Sequence, residues 1–378
     1  MTLLKTKLPA TINATSLREN QINLKATRKT ISYNTTTRQV DYNLTASKRF
    51  ADALLHEYVI VFKRDPSELD LDSLYEIQER IDAVNHELGE FVYTFDDLDI
   101  SLDKRMDVIL NAARCFKWLD GDVYRFGRDE KKEFIENVIT QRDIASPQER
   151  DYSLQYLSTM PSDYDSIKLQ YVDANTNKKA YIYRKIENGQ ILDGYGLRPD
   201  TIELAGCYSK TQAEDRADLE IRRVIYNRFI VTDTCLSQCS LLDKGQVVRY
   251  SEQYNFNTHD GEILAINGDV AYTSNGIEWD GVSSYFVDFK DEYNNVYRSP
   301  VAEVEGNNKA FRVLTSGILL NAYLPQGTEQ LGSVYVIGSS VELEASAWTV
   351  TEKKPANNGN VTLTLTNYDE RVFENDVV

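Results

Sequence analysis

Histidine is nearly missing from this 378-residue chain, which holds three: His56, His86 and His259. None has the His-Glu-x-x-His spacing that puts two metal ligands on one helix face, so that zinc signature is excluded. No Gly-x-Ser-x-Gly elbow and no Gly-x-x-x-x-Gly-Lys phosphate loop occurs; Gly189, Gly194 and Gly196 share a loop without the required Lys. Cysteine is also sparse. Cys115, Cys207, Cys235 and Cys239 are too few and too scattered for a disulfide framework, and the expectation is synthesis in a reducing cytosol. Proline numbers only 8. The longest apolar runs, around Tyr58–Phe62 and Ile318–Leu320, fall far short of a membrane span. The start, Met1-Thr-Leu-Leu-Lys, has no apolar core of a secretory signal, so none is expected.

What the chain has in excess is acid, with 59 Asp or Glu against 42 Lys or Arg and a net charge of −17. That balance excludes duplex nucleic acid as a gripped target, which requires a basic face. The charge is unevenly spread. Residues 1–50 carry nine basic side chains against Glu19 and Asp41, a net of +7, whereas 51–250 and 251–378 each carry −12. A basic leader before an acidic body favours an arm docking on an acidic protein surface, another copy of this body included. Composition alone equally fits a disordered leader.

Within the leader, only Thr30–Tyr33 and Gln39–Tyr42 alternate like strands. Helical spacing begins at about Ser47, with Phe50, Ala53, Leu54 and Tyr58 on one face. Leu74, Ile77, Ile81, Val84 and Leu88 predict a second helix, with Asp70 and Asp72 at its start and Gly89 at its stop. Phe91–Phe95 reads as a strand. A third helix, capped by Ser101, puts Leu102, Met106, Ile109, Leu110, Ala113 and Phe116 inward. Asp120-Gly121 then signals a two-residue hairpin turn. Ile167–Val172 and Ala180–Tyr183 predict a further hairpin around Asn175–Lys178, and Gln212–Phe229 a fourth helix with Ala217, Ile221, Val224, Ile225 and Phe229 inward. The remainder reads as short strands of a barrel or sandwich, closed by the pair Trp348–Glu352 and Val361–Thr366.

The candidate chemical motifs are weak. Asp173-Ala-Asn-Thr-Asn177 copies the first half of a calcium loop, but Lys178 and Arg184 stand where Gly and Glu are needed, so a β-turn is the expectation. Cys235 and Cys239 lack a second pair for zinc and read as buried thiols. Paired carboxylates for glycoside hydrolysis exist by name only, at Asp96-Asp97 and Asp288…Asp291-Glu292, and an acidic chain carries such clusters on solvated faces. Tyr152, Tyr156, Tyr164, Tyr171, Tyr181 and Tyr183 fit a sugar-binding or interface surface, and the alternation at 181 and 183 fits a half-buried strand equally. No catalytic, cofactor-binding or metal-binding residue is assigned, and the expectation is not an enzyme.

Several stretches, taken in order, resemble the tail-tip and tail-hub proteins of lambda-like phages. They are Phe50-Ala-Asp-Ala-Leu-Leu, Leu69-Asp-Leu-Asp-Ser-Leu-Tyr75, Phe95-Asp-Asp and Lys104-Arg-Met-Asp-Val-Ile-Leu-Asn-Ala-Ala113. Leu119-Asp-Gly-Asp-Val-Tyr124, Ile167–Asp173, Gln212–Tyr226, Leu241–Arg249 and Thr362–Asp376 follow. Each is degenerate; their shared order over roughly residues 28–378 carries the resemblance. It implies an α+β fold: a small helix-rich α+β domain plus barrel or sandwich hub domains that need not be continuous in sequence. The expected divisions are a basic arm at 1–46, an α+β domain at 47–145, a mixed hub domain at 146–250 holding the helix at 212–229, and a β-rich region at 251–378. The implied function is a structural virion protein of the tail tip, made in the host cytoplasm. It would form a homotrimeric ring with distal tail, tape-measure and fibre or tip proteins as partners, and no cofactor. DNA would pass through the ring without being bound. Members of that family are commonly longer, with additional hub domains before this block and fibronectin-like and receptor-binding regions after it. Two alternatives stay open: a tail-associated polysaccharide or peptidoglycan hydrolase, and a host receptor-binding module.

Overall fold

The computed structural model describes residues 29–96, 99–146, 148–156, 164–251, 258–326 and 332–376. The first layer opens with β1 (Lys29–Asn34) and β2 (Gln39–Ala46), an antiparallel hairpin. Helices α1 (Phe50–His56), α2 (Leu71–Asn85) and α3 (Leu102–Ala112) follow, then β3 (Cys115–Asp120) and β4 (Val123–Arg128). The caps fall where the side chains supply acceptors: Asp70 receives the Ser73 N–H at 3.3 Å, and Ser101 receives that of Lys104 at 3.4 Å. Phe50, Leu54, Leu74, Ile81, Met106 and Ile109 close one core from the three helices. Ile31 is buried in that same core and Tyr33 and Val40 pack on it, so the chain from 29 to 46 belongs to the helical unit and not to an arm. The rest of the expected arm, residues 1–28, lies outside the described residues.

Three local expectations shift. Phe91–Phe95 runs extended without joining a sheet, because its backbone bonds go to two separate stretches: Phe91 N–H to the Lys48 carbonyl at 2.7 Å and Val92 N–H to that of Gly206, beyond the helical unit, at 2.9 Å. The β3–β4 register pairs Asp120 with Val123, which makes Gly121-Asp122 the turn, with Gly121 at φ +60°. Positive φ at the first central residue alone is the type II′ pattern, one residue later than expected. The fourth helix ends at Tyr226, and Phe229 starts the next strand with an exposed side chain.

Beyond the helical unit come β5 (Asn137–Ile139) and β6 (Ser153–Tyr156), then β7 (Ser166–Val172), β8 (Lys179–Glu187), β9 (Gln190–Asp193) and β10 (Pro199–Glu203). Helix α4 (Lys210–Tyr226) precedes β11 (Phe229–Cys235) and β12 (Val247–Tyr250). Strands β13 (His259–Asn267), β14 (Val270–Thr273), β15 (Tyr285–Lys290), β16 (Val296–Val304), β17 (Asn307–Val313) and β18 (Val334–Ser339) follow. The chain closes with α5 (Ser340–Ala345), β19 (Ala347–Pro355) and β20 (Val361–Asn367).

The result is a mixed α+β fold built around one sheet of order β5-β12-β19-β20-β11-β6. Its strands come from three separated stretches, and only the β5–β12 pair is parallel. Two units are inserted into it. One is a sheet of order β10-β7-β8-β9 with α4 on a single face: Ile167, Leu169, Tyr171 and Ile182 point at Ala213, Ala217 and Ile221. The other is a closed antiparallel barrel, β13-β14-β17-β16-β15-β18, filled by Val287, Phe289, Phe311, Tyr335 and Ile337. The expected boundaries at 145/146 and 250/251 therefore fall within the strand set of the central sheet. Closing β19 and β20 return to it rather than extend the barrel. Among the described residues no helix is long and apolar enough to cross a membrane.

Candidate functional site

Where the helical unit, α4 and the C-terminal segment meet, the backbone turns sharply after α3, with Arg114 at φ +60°. That conformation is costly for a residue with a Cβ, so surrounding bonds must hold it. The Arg114 guanidinium is buried and its five N–H groups are engaged. It grips Asp376 through two parallel bonds of 2.8 Å, reaches Asp215 on α4 at 3.2 Å and donates twice to the Asp129 carbonyl at 3.1 and 2.7 Å. Burial disfavours the charged form, but the bonds and fields of Asp376 and Asp215 outweigh it and hold Arg114 above its ordinary value. The fork of Arg suits this two-oxygen grip in a way Lys cannot match.

The same C-terminal stretch is tied at further points. Asp376 also accepts the Lys131 N–H at 3.1 Å, Tyr368 Oη accepts that of Lys132 at 3.0 Å, and Asn375 bonds Arg222 and Asp218 of α4. Val372 and Phe373 bury against Leu219 of α4. Residues 368–376 thus form a strap that fastens three units. On the far side of α4's start, Gln212 sets its Nε2 within 3.2 Å of the carbonyls of Leu88, Glu90 and Ala112, and Ser209 donates to Glu87 at 2.6 Å. Hydrogen bonds from Ser209 and Thr211 hold the Glu87 carboxyl below its ordinary value.

A second knot joins the barrel to the sheet. Arg249 on β12 and Asp288 on β15 are both buried and paired at 2.6 Å, and Arg249 also donates to the Leu343 carbonyl of α5. Burial pulls Arg249 below its ordinary value despite Asp288. Within the sheet, Arg150 holds Asp233 through two 2.7 Å bonds while Tyr250 donates to the same carboxylate at 2.5 Å.

The sequence candidates are dispersed and structural. His56 is buried with Nδ1 receiving the Ile31 N–H at 3.4 Å, His86 is exposed, and His259 Nε2 accepts the Glu278 N–H at 3.3 Å. Asp173 spends its carboxylate on the turn, accepting the Asn175 and Thr176 N–H groups at 2.8 Å. Asp288 belongs to the barrel knot. Asp291 caps its own turn, accepting the Tyr293 and Asn295 N–H groups at 2.8 and 2.9 Å; burial opposes its ionisation, yet the Asn295 and Tyr293 bonds keep it below its ordinary value. Glu292 and Asp96 are exposed, and Asp97 lies outside the described residues. All four thiols are buried, with burial pushing Cys115 and Cys207 up to about 12. Asp260 and Asp243 are raised by burial, and Asp260 accepts the Gln141 N–H at 2.8 Å.

Gly189, Gly194 and Gly196 sit at the loops that flank β9. Tyr171 points at α4, whereas Tyr181 and Tyr183 lie on the opposite face of their sheet with rings 6.2 Å apart; Tyr164 is exposed and Tyr152 packs on the central-sheet core. The side chain of Tyr156 lies outside the described residues. Among the described residues no group of three His, Cys, Asp or Glu side chains is placed to hold a metal. The chain matches no protein-family model, and no curated protein matches it.

Proposed function

We propose that this chain is a structural subunit of a phage tail hub, a component of a ring at the distal end of a long non-contractile tail. The observation that carries the proposal is where the chain places its buried charge. Arg114, Arg249 and Arg150 join layers and strands through buried pairs that are costly to break, which suits a part held between neighbours. The ordered resemblance to tail-tip proteins supplies the assembly: three copies around the tail axis, with distal tail, tape-measure and fibre or tip proteins as neighbours.

In that setting the acidity has a physical use. Carboxylates facing a channel repel phosphates, so DNA passes without sticking. The basic leader, residues 1–28 included, has the sign needed to tie onto an acidic neighbour. Gold-labelled antibody against this chain, viewed on purified tails by electron microscopy, tests the reading. Label at the distal tip supports it; tails that lack the chain overturn it.

A further inference from the structure

One cavity runs against the acidity of the chain. Its volume is about 260 Å³, and it lies where the end of α3, β3 and β4 meet α4, β19 and the strap. Six cations line it, Arg114, Arg128, Lys132, Arg216, Arg223 and Lys244, against two carboxylates, Asp129 and Glu130. Phe116, Val247, Val350 and Phe373 supply apolar walls. Adding every internal partner (Asp215, Asp376, Glu220 and Glu136, with Arg80) still leaves seven cations to six carboxylates, in a chain whose net charge is −17.

Two of these cations have nothing left to give. Arg114 is saturated by the strap, Asp215 and the Asp129 carbonyl, and Arg216 spends its donors on Glu220 and on both Asn111 oxygens. The others are short of partners. Glu220 Oε1 serves Arg216 at 2.7 Å and Arg223 at 3.0 Å at once, and Glu130 divides its oxygens between Arg80 at 2.7 Å and Arg128 at 3.1 Å. Arg128 Nε is buried with no hydrogen-bond partner, a cost that native structures rarely carry without a reason. Lys132 reaches Glu136 only at 3.9 Å. Lys244 pairs with no carboxylate among the described residues, and its ammonium lies 5.5 Å from the centre of the Phe116 ring. Burial, then the like charge of Arg114, pulls Arg223 down to about 10, so the field of Arg114 is felt there despite its own carboxylates.

We propose that this cavity binds a phosphate group, as the free ion or as a monoester, through Arg128 Nε, Lys244 and Arg223. The three donors come from β4, the loop before β12 and α4. A tetrahedral oxyanion accepts from several directions at once, whereas a carboxylate offers two coplanar oxygens. The bound group would satisfy the orphaned Arg128 N–H and draw the helical unit, α4 and the central sheet onto one anion. A cavity of this size admits a single phosphate and not a duplex, so the exclusion of nucleic acid as a gripped target stands. The proposal does not depend on the hub reading.

The test is isothermal titration calorimetry of the full chain with inorganic phosphate and, separately, with glycerol 2-phosphate, at fixed ionic strength. Saturable binding of one phosphate per chain is expected. Lys244 is exposed, so Lys244→Ala should melt as the wild type does yet bind about tenfold or more weakly. Arg128→Lys keeps the charge, removes the Nε donor and should weaken binding by a similar factor. Lys309→Ala, on β17 and outside the cavity, is the control and should bind as the wild type does. With those losses in place, tighter binding of inorganic phosphate assigns the free ion, and tighter binding of glycerol 2-phosphate assigns an ester. Three results overturn the proposal: no saturable binding of either probe up to about 10 mM, wild-type affinity in Lys244→Ala, or equal losses in Lys244→Ala and Lys309→Ala.

Discussion

Replacing Arg114 by Met should open the strap. The substitution removes a buried cation that holds Asp376, Asp215 and the Asp129 carbonyl, and leaves two largely buried carboxylates without it. Breaking such a pair costs about 3–5 kcal/mol when both charges stay dry. Asp376 and Asp215 keep 10% and 15% of their side-chain surface and can draw in water, so the lower end, about 3 kcal/mol, applies. A chain of several units does not unfold in one step, so a global midpoint would blur the effect. Hydrogen exchange resolves it locally. The Lys131 N–H, bonded to Asp376, and the Val372 N–H, bonded to the Asp369 carbonyl, should exchange about a hundredfold faster. Arg125→Met is the control: its partners Asp70 and Asp120 sit in solvent-reached positions, and the change should cost less than about 1 kcal/mol. Adding Asp376→Leu to Arg114→Met should recover part of the loss by removing one orphaned carboxylate. Exchange at 131 and 372 within about threefold of wild type would refute the reasoning.

Three further outcomes follow from other contacts. Gly245 has φ +88°, and a Cβ there would fall 2.0 Å from the Phe116 ring of β3, so Gly245→Ala should cost about 2 kcal/mol or more in urea unfolding and loosen the helical unit from the sheet. Native protein at pH 8 should leave all four thiols unreacted with a disulfide reagent, and denaturant should release four equivalents, because all four are buried: burial raises Cys115 and Cys207, and the bond with Cys239, then burial, raises Cys235. The folded value of Glu87 lies below its unfolded one, so its bond to Ser209 stabilises fully above the unfolded value near ~4.3 and is lost as pH falls through the folded value. Glu87→Gln should flatten that acid limb in a melting-temperature profile.

Local signals in the sequence located the helices and hairpins because their causes are local. Asp70 and Ser101 cap at the expected residues, and Asp173 makes its turn from atoms within three positions. Signals failed where distant backbone decided the outcome. Phe91–Phe95 alternates like a strand, but its donors find Lys48 and Gly206, and no periodicity reveals that. The central sheet pairs 137–139 with 248–250 and 230–235 with 361–366, so its continuity is invisible to a reading that moves along the chain. Arg114 was equally hidden. Its carboxylate partners stand 101 and 262 positions away, and nothing in Ala113-Arg-Cys115 marks the Arg as buried. The charge totals were legible from the start, yet they could not show that the largest basic investments lie inside the acidic body, as locks.

The native mass of the purified full chain, recorded across a concentration series, tests the central claim most directly. A closed species of three copies of the 43.3 kDa chain is expected. A single 43.3 kDa species at every concentration would contradict it.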